Sequence, residues 1–528
     1  MATNPENLSK REVGQAFVQR HQSEVIGVLH GWDRLRLQGT LRSLYYPVVM
    51  EQYLRKAGVL WKDFKSYAIG VTGRICQAAE ELAKQYQRPV IYLASSQASK
   101  EDEARRIQER DGIKQGLIAV MSCVEPCRTW RMRGNHETKR LELRLEWGKC
   151  KHLYFYWEHE ELGFLHMRLQ TWFPFLIQFC VNGREWLGRQ MDKEGMAYGQ
   201  EDNCFPWIAD VGRAQELMEE QHRTDWPKVL EELVKRCHPV HEEISRPIEL
   251  GYYWTASQSE YASDVMFRDR GALERIYPPL VHHAVMHMGA EQVMRYMGRS
   301  GRVGIHDAVV TDRRRRSEGV RVKHWLNKNS LKFYDKGSVL RDEVTINEPK
   351  DFRVWRRAEN KPESKAQWRG LRRSVADFGR RAEVSRKATD RHLTALAAVE
   401  IDSPLGQEAA QVCRRAVGRK KQRHRALNPM GDADGYLMAA VSRGEYAING
   451  FRNRDVRGRL HTPTSDKRKA HQQMAAVGRK LRLLRGHGLI AKVAKTHRYV
   501  VTGKGRRIMT ALLAARQAST EKLTAMAA

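Results

Sequence analysis

The tail of the chain, residues 432–520, constrains the fold more tightly than any other stretch. Leu481-Arg-Leu-Leu-Arg-Gly-His-Gly-Leu-Ile490 carries apolar residues at helical spacing, then two glycines. Glycine accepts the left-handed backbone that closes a helix, so the helix is expected to stop at Gly486 or Gly488. From Leu489 to Val493 apolar and basic residues alternate, the pattern of a half-buried strand. Lys495-Thr-His-Arg498 makes a tight basic turn, and Tyr499 to Val501 returns as a second strand. Thr502-Gly-Lys-Gly then opens a closing helix, with Thr502 as its N-cap.

The charge indicates what such a tail meets. Lys and Arg number 93 against 62 Asp and Glu, a net charge of +31. So large a surplus argues against an ordinary small-molecule enzyme and implies a polyanionic partner whose counterions are released on binding. The tail resembles the winged helix of MarR-type regulators over residues 432–520. That resemblance implies DNA as partner, with structured RNA as the alternative. It places Lys467, Arg468, Lys469, His471, Arg479 and Lys480 on or near the helix that enters the major groove, and Lys495, His497 and Arg498 on the wing. The whole chain also resembles a widespread bacterial family of basic proteins ending in such a domain, a resemblance that implies no activity.

A length of 528 residues implies several domains, and 41% apolar residues suffices for their cores. No run of eighteen apolar residues occurs and the N-terminus is polar, so no membrane association and a cytoplasmic location are expected. Eight irregularly spaced cysteines do not make a disulfide framework.

The expected fold class is α/β (α+β) and multidomain, in five regions. Residues 1–122 form an N-terminal α/β region. It has helices over 8–60 with Asp33–Gly39 as a strand or turn between them, a helix over 72–87, and a β-α-β unit made of Pro89–Ala94, Lys100–Arg110 and Gly116–Ser122. No glycine-rich phosphate loop accompanies that unit. Residues 123–250 hold an antiparallel sheet with strands at Leu141–Trp147, His152–His159, Phe164–Gln170 and Phe175–Val181, followed by helices. Its crowded aromatics suit core packing, or alternatively base stacking. Residues 251–350 read as helices, around Ser263–Phe267 and Val281–Met297, followed by a strand hairpin. Residues 351–425 form a basic helical linker with 20 Lys and Arg against 9 Asp and Glu; Arg414, Arg415, Lys420 and Lys421 are its candidate phosphate contacts. The winged helix completes the chain.

The sharpest chemical motif is the hairpin at 322–347. Strand alternation puts Lys332, Tyr334 and Lys336 on one face, and Arg341 and Glu343 share a face of the next strand. Lysines beside a tyrosine stabilise its phenolate and can hold a scissile phosphate, while a carboxylate across the hairpin can help bind Mg²⁺ or Mn²⁺. The Tyr-Asp-Lys…Leu-Arg-x-Glu pattern over 323–347 is similar to that of rolling-circle plasmid replication initiators of the Rep_trans class. The resemblance implies a strand-nicking enzyme of a mobile element, with Tyr334 as nucleophile and Glu343 as a metal or positioning carboxylate. The His-apolar-His pair of the related HUH enzymes is missing; His166-Met-Arg-Leu-Gln170 is the nearest stretch.

Other constellations compete. Cys123, Cys127, Cys150 and His152 have ligand types that suit zinc. Asp33, Glu125, Asp202, Asp264 and Asp269 offer carboxylates for a metal-dependent nuclease, if three of them converge. His283 and His287 stand four apart on a helix, without a companion acid in a recognised motif. The leading expectation is a DNA-processing nickase or strand transferase; the alternatives are a non-catalytic DNA- or RNA-binding protein and a carboxylate-based metal nuclease.

Overall fold

The computed structural model describes residues 15–135, 137, 139–299, 304, 307–316, 319–358, 361, 363–399, 405–417, 422–446, 449–494 and 496–521. The protein is mixed α/β, with 43% helix and 32% strand. Among the described residues no helix is long and apolar enough to cross a membrane.

The strands, in chain order, are β1 Val25–Thr40, β2 Val90–Tyr92, β3 Gly116–Asn135, β4 Arg140–His159, β5 Gly163–Gln170, β6 Ile177–Asn182, β7 Tyr198–Glu201, β8 Cys204–Ile208, β9 Tyr253–Phe267, β10 Val309–Arg316, β11 Gly319–Leu326, β12 Asn329–Lys336 and β13 Val339–Ile346. Then come β14 Arg353–Arg356, β15 Gln367–Gly370, β16 Ala416–Val417, β17 Arg423–His424, β18 Phe451–Arg452, β19 Ile490–Lys492 and β20 Arg498–Val501. Eleven of them form one mixed sheet of order β10-β11-β12-β13-β9-β1-β6-β5-β4-β3-β2.

Two compact units divide the chain, and each is assembled from separate segments. One comprises residues 27–266 and 343–386; the other comprises 1–26, 267–342 and 387–528.

In the first unit the expected β-α-β element is present, with β2 parallel to β3 across Val90↔Val120, Ile91↔Met121 and Tyr92↔Ser122. Ser99 caps its helix, Lys100–Arg110, by accepting from the Asp102 amide. The long hairpin β3–β4 dominates the rest. Two separately expected strands, 141–147 and 152–159, are one continuous strand, because nearly every residue from 140 to 158 finds a partner on β3. The aromatics are core: Tyr154, Phe155, Tyr156, Trp157, Phe164, Phe173, Phe175 and Phe179 are all buried, which removes them as a stacking surface.

Two helical expectations are overturned here. Residues 25–32, placed in a helix, run on into Asp33–Gly39, expected as a strand or turn, as the single strand β1, and 263–267, read as helix, ends strand β9. Both strands lie in the interior of the sheet, where β1 pairs with β6 from Arg34↔Asn182 to Gly39↔Ile177. Paired neighbours on both edges satisfy the backbone of an interior strand, and this overrides weak local preference. Gly183 shows how closely β1 is packed. A Cβ there would come within 2.2 Å of the Trp32 carbonyl oxygen, so the helix Gly183–Lys193 can start against β1 only with glycine. Asn182 caps that helix, accepting from the amides of Arg184 and Glu185.

In the second unit the tail runs helix Asp432–Val441, β18, helix Asn453–Leu460, helix Lys467–Gly486, β19, β20 and helix Gly503–Gln517. Its small sheet has the order β18-β20-β19. The expected details hold locally: Gly488 takes a φ of +73°, and the Thr502 hydroxyl accepts from the Gly505 amide at 2.9 Å. Leu437, Val441, Phe451, Val456, Val477, Leu481, Leu484, Ile490, Ile508 and Leu512 form one buried cluster. Truncating any such side chain to alanine typically costs about 2–5 kcal/mol, which is why these sparse strands hold their places. The basic segment 351–425 is less helical than expected, since β14–β15 and β16–β17 form two short hairpins within it.

Candidate metal centre and basic surfaces

Three carboxylates converge in the first unit. Asp33 on β1, Glu260 on β9 and Glu343 on β13 each bring a carboxylate oxygen within 4.8 Å of the other two. The strands that carry them are neighbours in the sheet, in the order β13-β9-β1. Sequence separation hides this entirely, because the three residues come from distant segments. Asp33 is 4% exposed and Glu343 is fully buried, while Glu260 is half-buried and gives the cluster its side toward solvent. Asp33 is held from outside the cluster. Asp202 takes a left-handed φ of 55° in the turn between β7 and β8, and the next residue, Asn203, donates its amide to Asp33 Oδ1 at 2.6 Å. Nearby, burial works against the Arg34 guanidinium, but attraction from Cys180, Glu101, Glu260 and Asp33 raises it above the ordinary arginine value.

Three carboxylates at such range repel one another by roughly 4 kcal/mol per pair at 4 Å and an effective dielectric of 20. An all-oxygen, acidic donor set is what Mg²⁺ and Mn²⁺ take. Ligands about 2.1 Å from an octahedral ion stand roughly 3–4.2 Å apart, separations that fall inside the 4.8 Å within which the three oxygens lie.

The other carboxylates named from sequence do not join the cluster. Asp264 forms a buried ion pair with Arg184 at 3.0 Å. Glu125 is held by Arg168 at 2.7 Å, Tyr154 at 2.6 Å and Lys100 at 3.4 Å. Burial would raise the Glu125 carboxyl, but hydrogen bonds from Tyr154, Cys123 and Arg168 bring it down to about 2. Asp269 caps the helix Arg270–His287. Asp202 acts through its turn.

The Tyr334 hairpin forms as expected. In the β11–β12 ladder Arg321 faces Tyr334 and Lys323 faces Lys332, so these four side chains share one face, and Lys336 follows by alternation. The Lys332 ammonium lies 5.5 Å from the centre of the Tyr334 ring, and Lys323 lies 3.6 Å over Trp325. Phe333 points the other way, into core, with Tyr277 at 5.8 Å. Tyr334 keeps only 6% of its surface exposed. A tyrosine nickase requires this residue to be accessible, and its burial counts against that role. Tyr334 also belongs to the second compact unit, and Glu343 to the first.

Of the four cysteine and histidine positions proposed for zinc, three come together. Cys127 Sγ lies 3.2 Å from Cys150 Sγ, and Cys150 Sγ lies 4.0 Å from His152 Nδ1. Cys123 stays outside: its thiol donates to Glu125 Oε1 at 3.0 Å. A hydrogen bond from Cys150 holds the Cys127 thiol below its usual range, while that same bond pushes Cys150 up. Burial pushes His152 down to about 4, leaving a neutral ring at neutral pH. His283 is likewise pushed down, to about 3, by burial beside His287 and His282.

The basic residues of the tail lie largely as expected. Lys467, Arg468, Lys469, His471 and Arg479 are exposed along the helix Lys467–Gly486, and Lys480 is half-buried. Asp466 caps this helix by accepting from the Arg468 and Lys469 amides, which fixes the first turn that carries the lysines. His497 is exposed, and Arg498 donates to the Asn449 carbonyl at 2.7 Å. Arg414 and Arg415 are exposed. Lys495, Lys420 and Lys421 lie outside the described residues.

Sequence reading missed one surface. A groove of about 1200 Å³ in the second unit is lined by Arg452, Arg454, Arg457, Arg459, His461 and Arg498, among others. Arg459 is partly neutralised by Glu291 at 3.1 Å. The signal lies in Arg452-Asn-Arg-Asp-Val-Arg-Gly-Arg459, four arginines in eight residues.

No protein-family model matches the chain, and neither the curated proteins nor the solved structures give a match.

Proposed function

We propose that this protein is a DNA-processing enzyme that cleaves phosphodiesters with Mg²⁺ or Mn²⁺ held by Asp33, Glu260 and Glu343. The observation that carries the reading is the meeting of these three carboxylates from three neighbouring strands. A divalent ion held there supplies Lewis acidity toward a phosphodiester. Asp33, Glu260 and Glu343 provide the ligand oxygens, Asn203 orients Asp33, and half-buried Glu260 marks the side from which a phosphate approaches.

The tail 432–520 is, on this reading, a winged helix that holds the duplex. Its element order and the β18-β20-β19 sheet support that assignment, with Lys467–Gly486 as the recognition helix and the turn before β20 as the wing. The arginine groove adds backbone contacts.

The tyrosine-nickase reading keeps one supporting observation, the alignment of Lys332 with Tyr334. The two mechanisms separate in one assay. Full-length protein is incubated with labelled single-stranded and duplex DNA plus Mg²⁺ or Mn²⁺, and the products are run on denaturing gels. Cleavage that needs the metal, leaves no protein on the DNA and persists in Tyr334→Phe is the expected result. A covalent adduct lost in Tyr334→Phe transfers the chemistry to the tyrosine. Binding without cleavage under any of these conditions removes the enzymatic reading.

A further inference from the structure

We propose that Cys127, Cys150 and His152 bind one zinc ion through three protein ligands, leaving a fourth position to an exchangeable ligand such as water. The site is separate from the carboxylate cluster in residues and in chemistry. It does not depend on the DNA-cleavage reading.

The placement follows from the β3–β4 ladder. Cys127 lies opposite Gly148, Glu125 opposite Cys150, and Cys123 opposite His152. Cys127 and Cys150 are therefore diagonal neighbours on one face, and His152 stands two residues along the same face from Cys150. The three ligand atoms lie within 4.8 Å of one another. Around a tetrahedral zinc ion two sulfurs stand about 3.8 Å apart, and a sulfur and a nitrogen about 3.5 Å. The observed 3.2 Å between the sulfurs and 4.0 Å from Cys150 Sγ to His152 Nδ1 bracket those values. Shifts of about half an ångström would bring these two edges to the tetrahedral values.

The environment points the same way. His152 is fully buried, and its Nε2 has no hydrogen-bond partner among the described residues. Its Nδ1 lies 3.2 Å from the Cys150 carbonyl oxygen. Nδ1 is the ring nitrogen placed toward the sulfurs, so zinc binding uses the tautomer with its proton on Nε2, and the ion takes the place of the carbonyl as the partner of Nδ1. Two thiolates and a neutral imidazole balance the charge of a dication and are soft enough to prefer zinc over magnesium. Binding is a ligation without redox change: each thiol gives its proton to solvent as its Zn–S bond forms, and the imidazole contributes a lone pair. Cys123, bonded to Glu125, is left out of the set.

The test uses the full-length protein. Purified without chelator and passed through gel filtration, it should retain one zinc per chain by elemental mass spectrometry. Cys127→Ser and Cys150→Ser should each lose that zinc, while Cys123→Ser should keep it. Cobalt substituted into the wild type should give thiolate-to-metal charge-transfer absorption, and bound zinc should protect Cys127 and Cys150, but not exposed Cys413, from alkylation. The wild-type measurements decide the matter even if the serine variants fail to fold. The proposal is overturned if supplied zinc is not retained and cobalt gives no charge-transfer band. It is also overturned if peptide mapping without reductant finds Cys127 and Cys150 joined as a disulfide, or if Cys123→Ser alone loses the metal.

Discussion

Glu343→Gln is expected to lower metal-dependent cleavage at least about 100-fold while leaving DNA affinity unchanged, because it removes a charged ligand from the centre and nothing from the basic surfaces. The same substitution should act on stability with opposite signs in the two metal states. Glu343 is fully buried beside two other carboxylates. Without metal, the amide removes like-charge repulsion, so the variant should melt at or above the wild-type temperature. With metal, a ligand that binds only the folded wild type stabilises it, by about 2.7 kcal/mol at a hundred times its Kd. Glu343→Gln should lose most of that gain. Thermal melts with and without Mg²⁺ or Mn²⁺, read beside cleavage rates, check both halves. Equal stabilisation of both proteins by metal would place the ion elsewhere.

Replacing Lys467, Arg468 and Lys469 together with alanine is expected to weaken duplex binding at low salt and to lower the slope of log affinity against log salt by about 2.7, since each phosphate contact releases roughly 0.9 counterion. All three side chains are exposed on the first turn of their helix. The Asp466 cap bonds to backbone amides, so the helix start survives the change. Fluorescence anisotropy with a labelled duplex across a salt series gives the slope. An unchanged slope would mean that this turn does not face the phosphates, leaving the arginine groove around Arg454 and Arg457 to carry the backbone contact.

Local patterns were legible where the chain sets its own structure. The Gly488 helix stop, the Thr502 cap and the Ser99 cap rest on residues within a few positions of one another, and the β2-helix-β3 crossover on one strand-helix-strand run whose paired residues are thirty positions apart. Long-range pairing was not legible. The first half of strand β1, residues 25–32, reads as helix because what makes it a strand is its place inside the sheet, beside β6 and β9. The candidate site divided in the same way. The Lys332–Tyr334 face could be read from alternation alone, whereas the burial of Tyr334 could not. Asp33 was among the acids singled out and Glu343 was assigned a metal role, but nothing local joined them. Glu260 sits in Gln258-Ser-Glu-Tyr-Ala262, a run with no chemical signature of its own. Its importance comes from β9 lying between β13 and β1.

The proposed cleavage chemistry requires a divalent ion among Asp33, Glu260 and Glu343. The most direct test is an anomalous difference map from crystals of the full-length protein grown with Mn²⁺. A manganese peak within about 2.0–2.4 Å of a carboxylate oxygen from each of the three residues is the expected result. A well-ordered cluster with no peak there, and manganese bound at another place, would contradict it.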